Sequence, residues 1–113
     1  MKLVTTQLFR DVSAWYHIVL AVDTTQGTAA NRLKLYVNGI QVTSFSTANY
    51  PSLNYDTWFN QNKTHTIGAG TYSGYANLFN GYMSEFCFID GTALDATSFG
   101  VANSDGVWTP IIY

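Results

Sequence analysis

Asn38-Gly39, inside "KLYVNGIQV" at residues 34–42, constrains this chain more than any other pair of residues. Both central residues of a type I′ turn need positive φ, which Asn-Gly adopts at low steric cost, and the turn matches the twist of its flanking strands. A two-residue loop also sets the register: Val37 faces Ile40, Tyr36 faces Gln41 and Leu35 faces Val42. Alternation then gathers Leu33, Leu35, Val37, Ile40 and Val42 on one face, with Lys34, Tyr36, Gln41 and Thr43 on the other. One face is apolar and one is wet. A lone two-stranded ribbon is marginal in water, so this hairpin demands a larger sheet.

Candidates for that sheet lie on both sides. "WYHIVLAVD" (15–23) alternates with period two and is mostly apolar on both sides, the pattern of a central strand covered on two faces. His17 reads as a packed strand histidine, since no second His, Cys or paired carboxylate stands at ligand spacing. Residues 24–32 form a polar loop. Residues 46–63, interrupted by Pro51 and rich in Asn, form a long loop with room for one helical turn or a short strand. "HTIGAG" (65–70) returns to strand, 71–79 is a loop rich in Gly and Tyr, and "GYMSEFCFID" (81–90) is a second strongly apolar strand. Residues 94–100 allow one short helical turn with Asp95 as N-cap. "GVWTPIIY" closes the chain as an extended segment that Pro110 keeps out of a sheet centre. Short strands between Gly and Asn turns, without a long amphipathic helix, predict an all-β fold: one domain, 1–113, built as an antiparallel β-sandwich or jelly roll.

Charge and cysteine content exclude several function classes. Only 11% of residues are charged and the net charge is -2, with 5 Lys plus Arg, so the electrostatic footprint of a nucleic-acid binder is missing. At 47% hydrophobic the chain is not disordered. Its low charge suits a protein held inside an assembly or one that meets neutral polar ligands. Cys87 is the sole cysteine and lies in an apolar run, so it is expected to be a buried, inert thiol. No apolar stretch approaches the roughly 20 residues that span a bilayer, and "MKLVTTQLF" lacks the apolar core and cleavage site of a signal peptide. A soluble protein without a membrane partner is expected.

Three segments in order, "WYHIVLAVD", "LKLYVNGIQV" and "FNGYMSEFCFIDGTAL", resemble the concanavalin A-like, laminin-G-type jelly-roll superfamily. "DGTAL" looks like the turn after that family's last core strand. "FRDVSAWYH" and "GVWTPIIY" look most like laminin-G-type domains in tail and fibre proteins of bacteriophages, and the likeness spans about residues 9–110. The resemblance implies a concanavalin A-like jelly roll truncated at its N-terminal side, since such domains carry several strands ahead of the Trp-x-His strand. It further implies a virion location, contacts with other virion chains, and a homo-oligomer that closes open sheet edges.

The chemistry expected is binding rather than catalysis. Glycosidases need two positioned carboxyl groups; the superfamily's glycanases carry Glu-x-Asp-x-x-Glu, and Glu85 is the only glutamate here. Neither His17 nor His65 stands with a nucleophile elbow. The chain is expected to be no enzyme and to need no cofactor, with calcium the one candidate through Asn54, Asp56 and Asn60, a set poor in charge. The long loops place Tyr50, Tyr55, Trp58, Tyr72 and Tyr75 among Asn54, Asp56 and Asn60. Flat rings beside amides and carboxylates grip sugars, but loop aromatics also fold back as lids or fill subunit contacts, and both readings stay open. "NKT" (62–64) matches a glycosylation sequon, discounted for a protein made in bacteria. The leading expectation is a non-enzymatic structural or attachment module of a phage fibre, tail or capsid decoration. Its alternative is a lectin-like adhesion domain for host-surface glycans.

Overall fold

Pairing around the Asn-Gly turn follows the register that a two-residue loop dictates. The computed structural model describes residues 1–59, 61–70, 74 and 77–113. Among them the chain is all-β, with every strand pair antiparallel and no α-helix. Two compact units divide it, Met1–Tyr55 with Thr92–Tyr113, and Asp56–Gly91.

The first unit holds seven strands: β1 (Lys2–Thr5), β2 (Ile18–Val22), β3 (Leu33–Val37), β4 (Ile40–Gln41), β5 (Phe45–Asn49), β6 (Gly100–Ala102) and β7 (Trp108–Pro110). They form three sheets, β1-β5, β2-β3-β4 and β6-β7. Val37 pairs with Ile40 and Tyr36 with Gln41 across Asn38 (φ 48°) and Gly39 (φ 80°). The Val42 amide donates to the Leu35 carbonyl at 2.8 Å and extends the ribbon by one step. On the other side β2 pairs with β3 over five positions, from Ile18 opposite Val37 to Val22 opposite Leu33. That register puts Ile18, Leu20 and Val22 on the same face as Leu33, Leu35, Val37 and Ile40.

The expectation of a strand covered on two faces fails on this side. Leu33 and Val37 are buried, but Ile18 and Leu20 are about half exposed and Ile40 is 75% exposed.

Two further strands came from weak signals. β1 pairs with β5 from Lys2–Asn49 to Thr5–Phe45, with a bulge between Val4 and Thr5. Residues 46–49, the start of the expected long loop, are therefore strand. The C-terminal extended segment becomes β7, paired with β6, and Pro110 sits at its end opposite Gly100. Their turn is held by Asn103, whose Oδ1 accepts from the amides of Asp105 (3.0 Å) and Val107 (2.9 Å).

Residues 65–70 and 81–90, both expected as strands, carry no strand among the described residues; Gly70 alone makes an isolated bridge. A strand exists only through hydrogen bonds to a neighbour. In 81–90 the left-handed φ of 54° at Glu85 breaks the extended path that a ladder requires. Cys87, expected to be buried, is exposed for the same reason: its segment has not joined a sheet that would cover it.

Asp95 caps the 3₁₀ turn Ala96–Ser98, accepting from the Thr97 amide at 3.0 Å and the Thr97 hydroxyl at 2.6 Å. Asp11 holds Ser13 and Asp23 holds Thr25 in the same way, through amide and hydroxyl together. Each carboxyl titrates below the usual carboxylate range, first because its neighbour's hydroxyl donates to the charged form. A second 3₁₀ turn, Ala29–Asn31, lies in the loop before β3. Arg32 ties that loop down, donating to the carbonyls of Gln26 (2.7 Å), Gly27 (2.8 Å) and Pro51 (3.1 Å).

Candidate functional site

Trp108 joins the two hairpins of the first unit. Its indole lies against Gly39 and Gly100, where a Cβ at either position would overlap the ring. The indole N–H donates to Nδ1 of His17 at 2.9 Å, so Nδ1 is the acceptor and a neutral imidazole carries its proton on Nε2. Asn38 completes the node: its amide donates to the His17 carbonyl and its Oδ1 accepts from the His17 amide, both at 2.8 Å. His17 is thus a packed histidine with a structural partner, as its lack of ligand neighbours implied.

The node anchors one end of the β2-β3-β4 sheet, and the apolar face of that sheet is the unit's most distinctive surface. Single exposed apolar residues are ordinary on proteins, but a contiguous set on one sheet face is informative. Three residues of that face, Leu20, Leu33 and Leu35, line a groove of about 350 Å³ together with Met1, Lys2 and Leu3. Lys2 is its only charged lining residue.

The residues expected to bind ligand are divided. Tyr50, Asn54 and Tyr55 belong to the first unit, and Asp56 and Trp58 to the second. Asn60, Tyr72 and Tyr75 lie outside the described residues. Asn54 is a turn residue at φ 54° whose amide donates to the Thr24 carbonyl at 2.8 Å. Tyr55 donates its amide to Ser52, and its side chain is about half exposed. In the second unit Asp56 accepts from Gln61 Nε2 at 3.2 Å. Trp58 is 64% exposed, with the Lys63 ammonium 5.9 Å from its ring centroid. Phe59 stacks on His65 and meets Phe88.

Among the described residues no three His, Cys, Asp or Glu side chains gather as metal ligands. No helix among them is long and apolar enough to cross a membrane.

Sequence reasoning missed the Trp108 node and the groove. The node had one readable sign, glycines at 39 and 100 beside a late tryptophan, but nothing local says which ring they make room for. The groove depends on β1, whose four residues give too short an alternation to stand out.

A laminin-G family model, described as the concanavalin A-like lectin/glucanases superfamily, matches residues 2–98. The match takes in β1 through β5 and the 3₁₀ turn at Ala96–Ser98, while β6 and β7 fall beyond it. No curated protein and no solved structure matches the chain.

Proposed function

This chain belongs to the concanavalin A-like lectin/glucanases superfamily, and on that premise we propose that it is a non-enzymatic adhesion or assembly module acting through surface contact. Its finer role in this reading is a structural or attachment piece of a virion: a phage fibre, tail or capsid decoration. The observation that carries it is the apolar face of β2-β3-β4, on which Ile18, Leu20 and Ile40 stay exposed, Ile40 at 75%. A protein that works alone in water seldom leaves such a face open, whereas a component of an assembly needs one. The phage-like wording of "FRDVSAWYH" and "GVWTPIIY" supports the virion setting. Lack of catalysis is supported by the carboxylate inventory, in which Glu85 stands as the only glutamate.

Antibodies against the chain, applied to purified particles in electron microscopy, test this reading. Label on fibres, tail or shell is expected. Label confined to lysate, with bare particles, contradicts it, and release of oligosaccharides from a polysaccharide panel contradicts its non-enzymatic part.

A lectin-like function is the second reading, favoured by the exposed indole of Trp58 in a turn whose Gln61 side chain donates to Asp56 and whose Gln61 amide donates to the Trp58 carbonyl. An aromatic face rimmed by polar groups fits the C–H face and hydroxyls of a sugar. The Lys63 ammonium near the ring competes for that face. Glycan-array binding that Trp58→Ala lowers at least about tenfold supports this reading; a blank array removes it.

A further inference from the structure

We propose that the His17–Trp108 hydrogen bond is an acid-opened latch. It holds the β6-β7 hairpin against the Asn38-Gly39 turn while the imidazole is neutral, and releases it when the ring takes up a proton. The bond works in one direction only. An indole N–H donates and never accepts, so at 2.9 Å the Nδ1 of His17 must supply a lone pair. An imidazolium carries a proton on both nitrogens and has no lone pair to give. Rotating the ring brings only a C–H or an N–H toward Trp108, so no rotamer restores the bond. Attraction between a cation and an aromatic face does not rescue the pair either. The indole N–H lies in the plane of its ring, so the imidazole, 6.1 Å away between centroids, meets the electropositive edge of the indole and not its face.

The surroundings decide which partner yields. His17 is pinned through its backbone, its amide donating to Asn38 Oδ1 and its carbonyl accepting from the Asn38 amide, both at 2.8 Å. Trp108 is held to the turn by the bond to His17 and by contact with Gly39. It is therefore the indole, with the β6-β7 hairpin behind it, that moves. Alternation places His17 on the face of β2-β3 that carries Lys34 and Tyr36. Asp95, in the turn before β6, acts electrostatically on both. β4, β6 and β7 carry no titratable side chain, and Tyr16, next in the chain, packs on Phe9. Lysine, tyrosine and aspartate ordinarily keep one charge state between about pH 5 and 8, where histidine changes its own. A proton taken up at this node therefore falls on His17.

Proton–nitrogen NMR of the indole groups in the intact chain tests the proposal, with the exposed indoles of Trp15 and Trp58 as references. At about pH 8 the Trp108 N–H should exchange with water at least about tenfold more slowly than either reference. By about pH 5 that protection should be gone while the circular dichroism spectrum is unchanged. His17→Asn keeps an acceptor oxygen near the Nδ1 position and has no proton to gain, so its Trp108 should stay protected at both pH values. His65→Gln, which removes the other histidine of the chain, should behave as the wild type. Protection that is absent at the higher pH, or that survives at the lower one, overturns the proposal. So does a loss that His17→Asn shows equally, that His65→Gln abolishes, or that accompanies unfolding of the whole chain. Ring-nitrogen shifts of His17 in the wild type give a check that needs no variant: they should titrate together with the Trp108 signal, and separate midpoints overturn the latch.

Discussion

Trp108 is half-buried and its indole meets Gly39, Gly100 and His17, so substitutions around it separate packing from hydrogen bonding. Trp108→Phe keeps a ring but removes the donor to His17 Nδ1. It should lower stability by about 1–3 kcal/mol, from one lost hydrogen bond and some lost ring contact. Gly39→Ala acts twice, through the strain of a side chain at φ 80° and through collision with the indole. It should destabilise by more than about 1 kcal/mol, and pairing it with Trp108→Ala should recover the steric part only. Urea denaturation of the single and double variants reads both. Equal losses from Gly39→Ala with and without the indole would place the whole effect in the backbone. The exposed Cys87 makes a third residue-scale prediction: its thiol should react with Ellman's reagent in the native protein at a rate close to that of the denatured chain. A thiol reactive only after denaturation would contradict its exposure.

At the scale of elements, capped turns carry a pH signature. Asp11, Asp23 and Asp95 titrate lower in the folded chain than the ordinary 3.8, each held mainly by a neighbouring hydroxyl. A carboxyl whose folded pKa is depressed contributes stability that is fully present above its unfolded value. That contribution is lost as pH falls through the ordinary value to the depressed one. Thermal melting should therefore decline below about pH 4, and the triple change of these aspartates to Asn should flatten the decline. Identical slopes in the two proteins would show that the turns are not its source. Legibility also divides at this scale. The Asn-Gly hairpin and the Asp95 cap could be read because each is determined by residues within a few positions of one another. The β1-β5 ladder joins residues forty or more apart, and β5 reads "FSTAN", polar enough to pass for loop. Residues 81–90 show the opposite failure. Their composition is that of a strand, but composition provides no partner, and with the extended path broken by the left-handed φ at Glu85 the run stays exposed.

Taken whole, the molecule is an antiparallel all-β member of the concanavalin A-like superfamily whose apolar interior is sparse. Only Ala21, Leu33, Val37 and Ala96 are buried among its hydrophobic side chains in the described residues. The fold class could be inferred from three motifs in order, since each motif encodes its own strand and turn. The candidate binding set could not, because loop aromatics obey no periodicity, and Tyr50, Asn54 and Tyr55 fall in a different unit from Asp56 and Trp58. What links the scales is one apolar sheet face: alternation in the hairpin creates it, the β2-β3 register enlarges it, and Ile18, Leu20 and Ile40 remain exposed on it. Methyl NMR on isotope-labelled Ile, Leu and Val examines that face directly. A soluble paramagnetic agent should broaden the methyls of Ile18, Leu20 and Ile40 while those of Leu33 and Val37 stay sharp. Equal protection of all five would contradict the account.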